Sequence, residues 1–323
     1  MKLTLFLLPL TALAALAATE EQLNQRFTVQ PEGKLVVDVN FGSIELATHE
    51  TDEVVVDVWR KITWKNKADE EEFLKDHPVT FSQDGNTVTV RCRRNGVGGW
   101  SWGGRSRMQG KYTITVPARF DAQLKTSAGS IAVSDLVGEV AANTSGGGLR
   151  FERLCGPLDG GTSGGGIYVS DCEGDLKVRT SGGGIEVSGG SGSLDGHTSG
   201  GSVTVKGFTG NVQVGTSGGG VTIENVIGQV GGSTSGGSVS AVLPSPLPGD
   251  VKLSTSAGGV TVVVPEDAAF DLDASTSAGR VSTDLPVTVV GKVERDHLVG
   301  TVNGGGKSVV LRTSAGSIHL KKP

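Results

Sequence analysis

The chain has 323 residues, 51 of them glycine and only 11 proline, with 5% aromatic residues and a formal charge of −5. Collagen needs glycine at every third position with abundant proline, so these glycines serve turns instead. The charge gives no electrostatic case for a nucleic-acid partner, and the length admits one long domain or two compact ones.

Residues 1–17, MKLTLFLLPLTALAALA, join Lys2 to an apolar run and the small-residue pattern Ala15-Leu16-Ala17. This pattern predicts a secretory signal peptide cleaved after Ala17 and a mature protein in the periplasm, at the cell surface or outside the cell. The apolar run, about 15 residues, is short of the roughly 20 that span a bilayer. No cysteine lies near the cleavage site to carry a lipid, and no later segment is apolar enough to cross, so no transmembrane segment is expected after cleavage.

Residues 18–125 hold a first coil and an interruption. Leu35 to Leu46 repeats the pattern of Leu176 to Val187, with Val39 at a position where later coils carry Thr. Residues 47–125 then read as a strand from Val54 to Trp64, a short helix in KADEEEFLKDH, a hairpin with Asp84-Gly85 at its tip, and a strand from Tyr112 to Val116. Their expected role is to cover an open end of the stack, since an exposed edge invites aggregation.

Within this region RCRRNGVGGWSWGGRSR, residues 91–107, sets Trp100 and Trp102 among Arg91, Arg93, Arg94, Arg105 and Arg107. Aromatic faces beside guanidinium groups suit sugars or anionic polymers. Trp100, Trp102, Arg105 and Arg107 are therefore the candidate ligand-binding residues. The same tryptophans would equally serve as an apolar lid folded onto the end of the stack.

From residue 126 to the C-terminus the chain repeats. Thr-Ser pairs begin at Thr126, Thr144, Thr162, Thr180, Thr198, Thr216 and Thr234, always eighteen apart, then at Thr255, Thr276 and Thr313. A fixed short period predicts a solenoid. The fifth and seventh positions after each Thr are apolar, as in Ile185 and Val187, with polar residues between, and a second alternating strand such as Leu176-Lys177-Val178-Arg179 leads into each Thr. Period two marks strands with one buried face, and counting by twos turns the Thr inward. The Ser-Gly-Gly corner and a second glycine twelve residues after each Thr are expected to adopt positive φ. The predicted fold is all-β: a parallel β-helix-like stack of two-strand, 18-residue coils, on the order of 45–50 Å long, with an internal ladder of Thr hydroxyls.

With YTITVPARFDAQLKTSAGSIAV followed by serial copies of L-x-V-x-T-x-x-G-x-I-x-V, the chain resembles the exported bacterial β-strand-repeat proteins known as the putative-adhesin family, a domain of unknown function, over roughly residues 32–320. The resemblance implies a β-solenoid exposed at the cell envelope and brings no catalytic residues. The unusually pure TSGGG corners and the tryptophan loop are departures from it.

Candidate chemistry elsewhere is sparse. Asp159, Lys177 and Asp195 fall on one column; two carboxylates about 9.6 Å apart approach the spacing of inverting glycosidases, but a solvent-facing ion ladder explains the column as well. His49, His77, His197, His297 and His319 form no ligand-spaced cluster, so no metal and no cofactor is expected. Cys155 and Cys172 lie eleven and ten positions after their Thr on adjacent coils, close enough for a disulfide in an exported protein unless the one-position offset turns the sulfurs apart. Cys92 is left unpaired. The reading is a non-enzymatic envelope or surface scaffold that contacts cell-wall polysaccharide or an envelope protein; a polysaccharide lyase or hydrolase on a parallel β-helix is the alternative.

Overall fold

Alternating apolar residues build strands with one buried face, and in the computed structural model the alternation runs through every repeat. The structure describes residues 18–64, 66–92, 107–289 and 294–323, Arg107 by its backbone alone. In one coil Leu176, Val178, Ile185 and Val187 are at most 2% exposed, whereas Lys177, Arg179 and Glu186 face solvent. Each buried aliphatic side chain contributes about 1.5–3 kcal/mol. A coil alone has nothing to bury against, so stability comes from stacking.

Strands that lead into Thr form one fourteen-stranded sheet, and strands that follow the Ser-Gly corner form another. Successive coils pair parallel and in register, Thr162 with Thr180 and Ile167 with Ile185. The solenoid predicted from the period is therefore the fold.

The corner works differently from the expectation. The Thr column is inward, between 2% and 8% exposed from Thr126 to Thr313, but hydroxyl does not bond to hydroxyl. Thr180 Oγ1 donates to the Gly165 carbonyl of the preceding coil at 2.8 Å, and Thr198 Oγ1 to the Gly183 carbonyl at 2.7 Å. The Gly183 N–H in turn donates to Thr180 Oγ1 at 3.3 Å. The same clamp recurs from Thr144 to Thr234.

Positive φ is not what these corners need either: Gly182, Gly183 and Gly184 all lie outside the left-handed region. Glycine is there for clearance. A Cβ on Gly183 would fall onto the Gly165 carbonyl, far inside van der Waals contact. Its neighbours are less constrained: a Cβ on Gly182 would sit 3.3 Å from the nearest oxygen and one on Gly184 3.0 Å, close contacts that a shift of a few tenths of an ångström relieves. The sequence follows these clearances: the position three after Thr is Gly in all ten Thr-Ser corners, the one before it is Gly or Ala, and the one after it is Gly, Ser or Arg. The left-handed turns belong mainly to the second corner, where Gly138, Gly156, Gly174, Gly192, Gly210 and Gly228 have φ between 118° and 153°; among the Thr-Ser corners only the first has one, Gly129 at 147°.

The N-terminal end is built from β1 (Thr19–Thr28), β2 (Gly33–Phe41), β3 (Ser43–His49), β4 (Glu53–Thr63), α1 (Lys67–Asp76), β5 (Val79–Asp84), β6 (Thr87–Cys92) and β7 (Arg107–Pro117). β2 and β3 form the first coil, with Val39 opposite Thr126 as expected. It is not the outermost layer. β6 pairs parallel with β2 and β7 parallel with β3, so residues 87–117 supply a further coil outside it. Antiparallel β4 and β1 cover one edge, antiparallel β5 covers the other, and Phe73 of α1 packs against Phe41 at 6.0 Å between ring centroids.

The C-terminal end repeats this device. The last strand pair, Lys307–Thr313 and Ile318–Lys321, does not follow Phe270–Thr276 but inserts beneath it, pairing with Val251–Thr255 on one side and Phe270–Thr276 on the other. Clamp partners show the exchange: Thr313 Oγ1 donates to the Gly258 carbonyl, and Thr276 Oγ1 to the Gly316 carbonyl, both at 2.7 Å. Antiparallel His297–Val302 closes that edge. Twelve parallel layers result among the described residues, a stack of about 50 Å at the usual strand spacing.

The disulfide expectation is corrected. Cys155 pairs with Glu173, one position past Cys172. Successive residues point to opposite faces, so Cys155 is exposed, Cys172 is buried, and both thiols are free. Cys172 instead fills an inward column with Leu136, Leu154 and Phe208.

Three measurements check this account. In thermal unfolding, Gly183→Ala should cost about 1–3 kcal/mol by overpacking and Thr180→Val a similar 1–3 kcal/mol for a stranded carbonyl and N–H. Gly182→Ala and the exposed Arg179→Ala should stay within about 0.5 kcal/mol; equal effects of the two glycine replacements would contradict the clearance argument. Deleting residues 307–323 should remove an internal layer with Val309, Leu311, Ile318 and Leu320, about 6 kcal/mol or more. Urea unfolding should then lose its cooperativity, not merely show a frayed end. Thiol titration of the native protein should find Cys155 reactive, with Cys172 and Cys92 released only by denaturant, because burial raises both of their pKa values.

Candidate functional site

In the terminal coil the chain leaves β6 at Cys92, which lies opposite Val39 in the Thr column, and re-enters β7 at Arg107, paired with Thr63. Between these two strands, where the sequence of other coils has a Ser-Gly corner, this one has residues 93–106. Trp100, Trp102 and Arg105 lie outside the described residues, as does the side chain of Arg107.

The root of that segment is a buried polar cluster. Arg60 occupies an inward position of β4 after Val54, Val56 and Val58, and is 1% exposed. A buried guanidinium requires partners: its Nε donates to Glu21 Oε2 at 2.7 Å, and its Nη1 to the His77 carbonyl at 2.6 Å and the Cys92 thiol at 3.5 Å. Burial pushes the Cys92 thiol and the Tyr112 hydroxyl above their ordinary pKa values. Aromatic cover comes from Phe73, stacked on His77 at 4.0 Å and edge-on to Trp64 at 5.9 Å. A lid over this end thus exists without the loop tryptophans.

Beside this root, the outer face of the second sheet carries features that sequence reasoning missed. Trp59 is half-buried on the solvent side of β4, directly across from Lys111 of β7. Lys111 Nζ meets Glu45 at 2.8 Å, Asn24 donates to Asp57 at 2.5 Å, and the Arg150 guanidinium lies 4.6 Å over the Tyr168 ring. Shallow depressions flank β7, one lined by Trp59, Asp57 and Asn24, the other by Glu45, Arg150 and Glu152. The signal for Trp59 was present: in EVVVDVWRKIT it falls in the outward phase of the alternation.

The charged column of the first sheet stacks as its spacing predicts, Asp159 opposite Lys177 and Lys177 opposite Asp195. Asp195 contacts Arg179 and His197, each at 2.8 Å, so one oxygen is in a surface ion pair with the guanidinium and the other lies against the imidazole. Asp135 and Arg153 form a comparable two-bond pair at 2.6 and 2.9 Å on the second corner, which lowers the carboxyl and raises the guanidinium pKa. Among the described residues no group of three or more His, Cys, Asp or Glu side chains could hold a metal ion, and no helix is long and apolar enough to cross a membrane.

A search of curated proteins finds no match. Among solved structures, the chain is similar to a putative adhesin of Parabacteroides merdae, at 9% identity and a TM-score of 0.32, covering 93% of this chain and 96% of that one. A putative adhesin of Bacteroides fragilis matches at 10% identity and a TM-score of 0.26, over 94% and 97% of the two chains. A putative cell adhesion protein of Clostridium sporogenes matches at 13% identity and a TM-score of 0.20, over 94% and 100%. The Toastrack DUF4097 family model matches residues 33–321, the whole stack from β2 to the last strand. This chain is a member of the Toastrack DUF4097 family.

Proposed function

We propose that the chain is an exported, non-enzymatic scaffold of the cell envelope or surface, and that it contacts a hydroxyl-rich or anionic envelope polymer at the N-terminal end of its stack. One observation carries the reading: the segment with Trp100, Trp102, Arg105 and Arg107 replaces a corner that every Thr-Ser coil keeps short and clamped. Nothing in the stacking calls for fourteen residues there. Tryptophan faces and guanidinium groups supply stacking and charge-assisted hydrogen bonds to such polymers. Trp59, Lys111 and Arg150 extend the same chemistry across the neighbouring sheet face. The family and signal-peptide pattern support export, and the free end of a rod is where a surface scaffold meets a partner.

Binding of the protein starting at Ala18 to purified cell-wall polysaccharides tests this. Trp100→Ala/Trp102→Ala should weaken binding by about tenfold or more, on the scale of losing one or two cation–π or stacking contacts. Arg105→Ala/Arg107→Ala should flatten its salt dependence. Unchanged binding in both variants removes the loop from the reading. Release of reducing ends from an acidic polysaccharide, abolished by Asp159→Asn or Asp195→Asn, would establish the hydrolase or lyase in its place.

A further inference from the structure

Glu70 stands one turn into α1, yet its side chain turns inward and is 3% exposed. Its Oε1 accepts the Trp64 backbone N–H at 2.8 Å. Its Oε2 accepts both the backbone N–H of Thr19 at 3.0 Å and the Thr19 hydroxyl at 2.7 Å. These donors hold the carboxyl below the usual carboxylate range, with a weaker contribution from the charge of Lys67. Lys67 itself points to Glu71, 4.0 Å away. The two other acids of the adjoining strand are engaged, Glu20 with Lys61 at 2.7 Å and Glu21 with Arg60. Glu70 is therefore a shielded carboxylate that collects neutral donors from the first residue of β1, and a shielded charge gains most from an opposite charge beside it.

The sequence places such a charge one residue away. Hydrolysis of the Ala17–Ala18 bond by an export peptidase consumes one water and leaves a carboxylate on Ala17 and an α-ammonium on Ala18. We propose that Glu70 is a socket for this processed amino terminus, so that cleavage adds an ion pair to the Thr19–Glu70 hydrogen bonds and fastens β1 to the end of the stack. An amide nitrogen, as in the unprocessed chain, carries no charge to give. β1 is an edge strand with no fully buried side chain, so apolar packing does little to hold it, and its hydrogen bonds to β4 are what the ion pair reinforces. Processing would thereby complete the cap of the second sheet.

The inference rests on the export reading, and the test separates the two. Three forms are compared: a chain starting at Ala18, the same chain acetylated at Nα, and a chain extended upstream through Ala17. The Ala18 chain should melt higher than the other two by about 2 °C or more. Its α-amine should titrate above the ordinary value of about 7.7–8.0. An amine whose pKa is raised on folding stabilises below its unfolded pKa and ceases to as pH rises through the folded one; a carboxylate whose pKa is lowered stabilises above its unfolded pKa, about 4.3, and ceases to as pH falls. The advantage of the Ala18 chain should accordingly be greatest between about pH 5 and 7 and vanish at both extremes. Glu70→Gln should abolish it and return the amine to its ordinary value. Equal melting of the three forms, an unshifted amine, or an advantage that survives Glu70→Gln would each overturn the socket; if Glu70→Gln does not fold, the acetylated form alone decides. The mass of the exported protein reports on cleavage independently: a start other than Ala18 refutes the processing step, even if the Ala18 chain binds its terminus in vitro.

Discussion

In each repeated corner one glycine passes so close over the carbonyl of its counterpart one coil away that an added Cβ would overlap it, as Gly183 lies over Gly165. The Thr180 hydroxyl grips that same carbonyl, so the clamp draws the coils to a distance at which no side chain fits. The bond and the bare Cα depend on each other: with a Cβ the hydroxyl could not reach, and the hydroxyl reinforces the backbone bond from the Gly182 N–H to the Ser163 carbonyl at the same corner. Because the coils are stacked in register, this condition recurs at every step. Sequence freedom then rises with distance from the contact, from invariant Gly at the third position after Thr, through Gly or Ala, to Gly, Ser or Arg.

How much of this was legible depended on which periodicity carried it. The two strands per coil, the inward Thr and the parallel register follow from periods of two and eighteen, both visible along the chain. The use of each glycine was not legible, because sequence shows the residue without saying whether freedom of φ or absence of Cβ is exploited. Both occur: Gly174 is left-handed at 127°, whereas Gly183 is there for clearance. Likewise Thr180 visibly needed an inward partner, but carbonyl and hydroxyl are equally plausible until the corner geometry is known. Layer order at the ends was hidden for a different reason. Sequence order equals stacking order only while each coil feeds the next, and the hairpins before β6 and around His297–Val302 break that rule. At the candidate site, sequence showed the loop tryptophans but not Trp59, whose outward phase had meaning only once a depression was seen beside it.

A linear stack has two vulnerable surfaces, its end layers, and here neither is formed by the first or last coil of the repeat. β2 and β3 lie beneath residues 87–117, and the final strands lie beneath Phe270–Thr276. Unravelling from the C-terminus therefore requires extracting strands paired on both sides, where fraying would ordinarily begin at a chain end, whereas β1 at the N-terminus is an edge strand that can fray without opening the stack. Three of the four sheet edges are antiparallel strands, β1, β5 and His297–Val302, which shield the unpaired edges that parallel layers would otherwise present; the fourth, Val281–Thr283, is a parallel edge only three residues long.

The same constraint decides where individual chemistry can reside. Inside the stack each side chain faces neighbours about 4.8 Å away on either side, so a column must tolerate its own kind or alternate in sign, as Asp159, Lys177 and Asp195 do, because like charges directly opposite are destabilising. Such columns make long uniform stripes and leave little room for a unique constellation. At the N-terminal end a layer has one coil neighbour instead of two, and the rule relaxes. There the Thr column holds Val39 and then Cys92, an arginine enters the core among valines, a helix appears, and a clamped corner gives way to fourteen residues rich in Trp, Arg and Gly. Departures from the repeat gather at the two ends because stacking resists them elsewhere, and all four tryptophans of the chain belong to the N-terminal region, which is the physical reason for seeking recognition at this end and not along the wall.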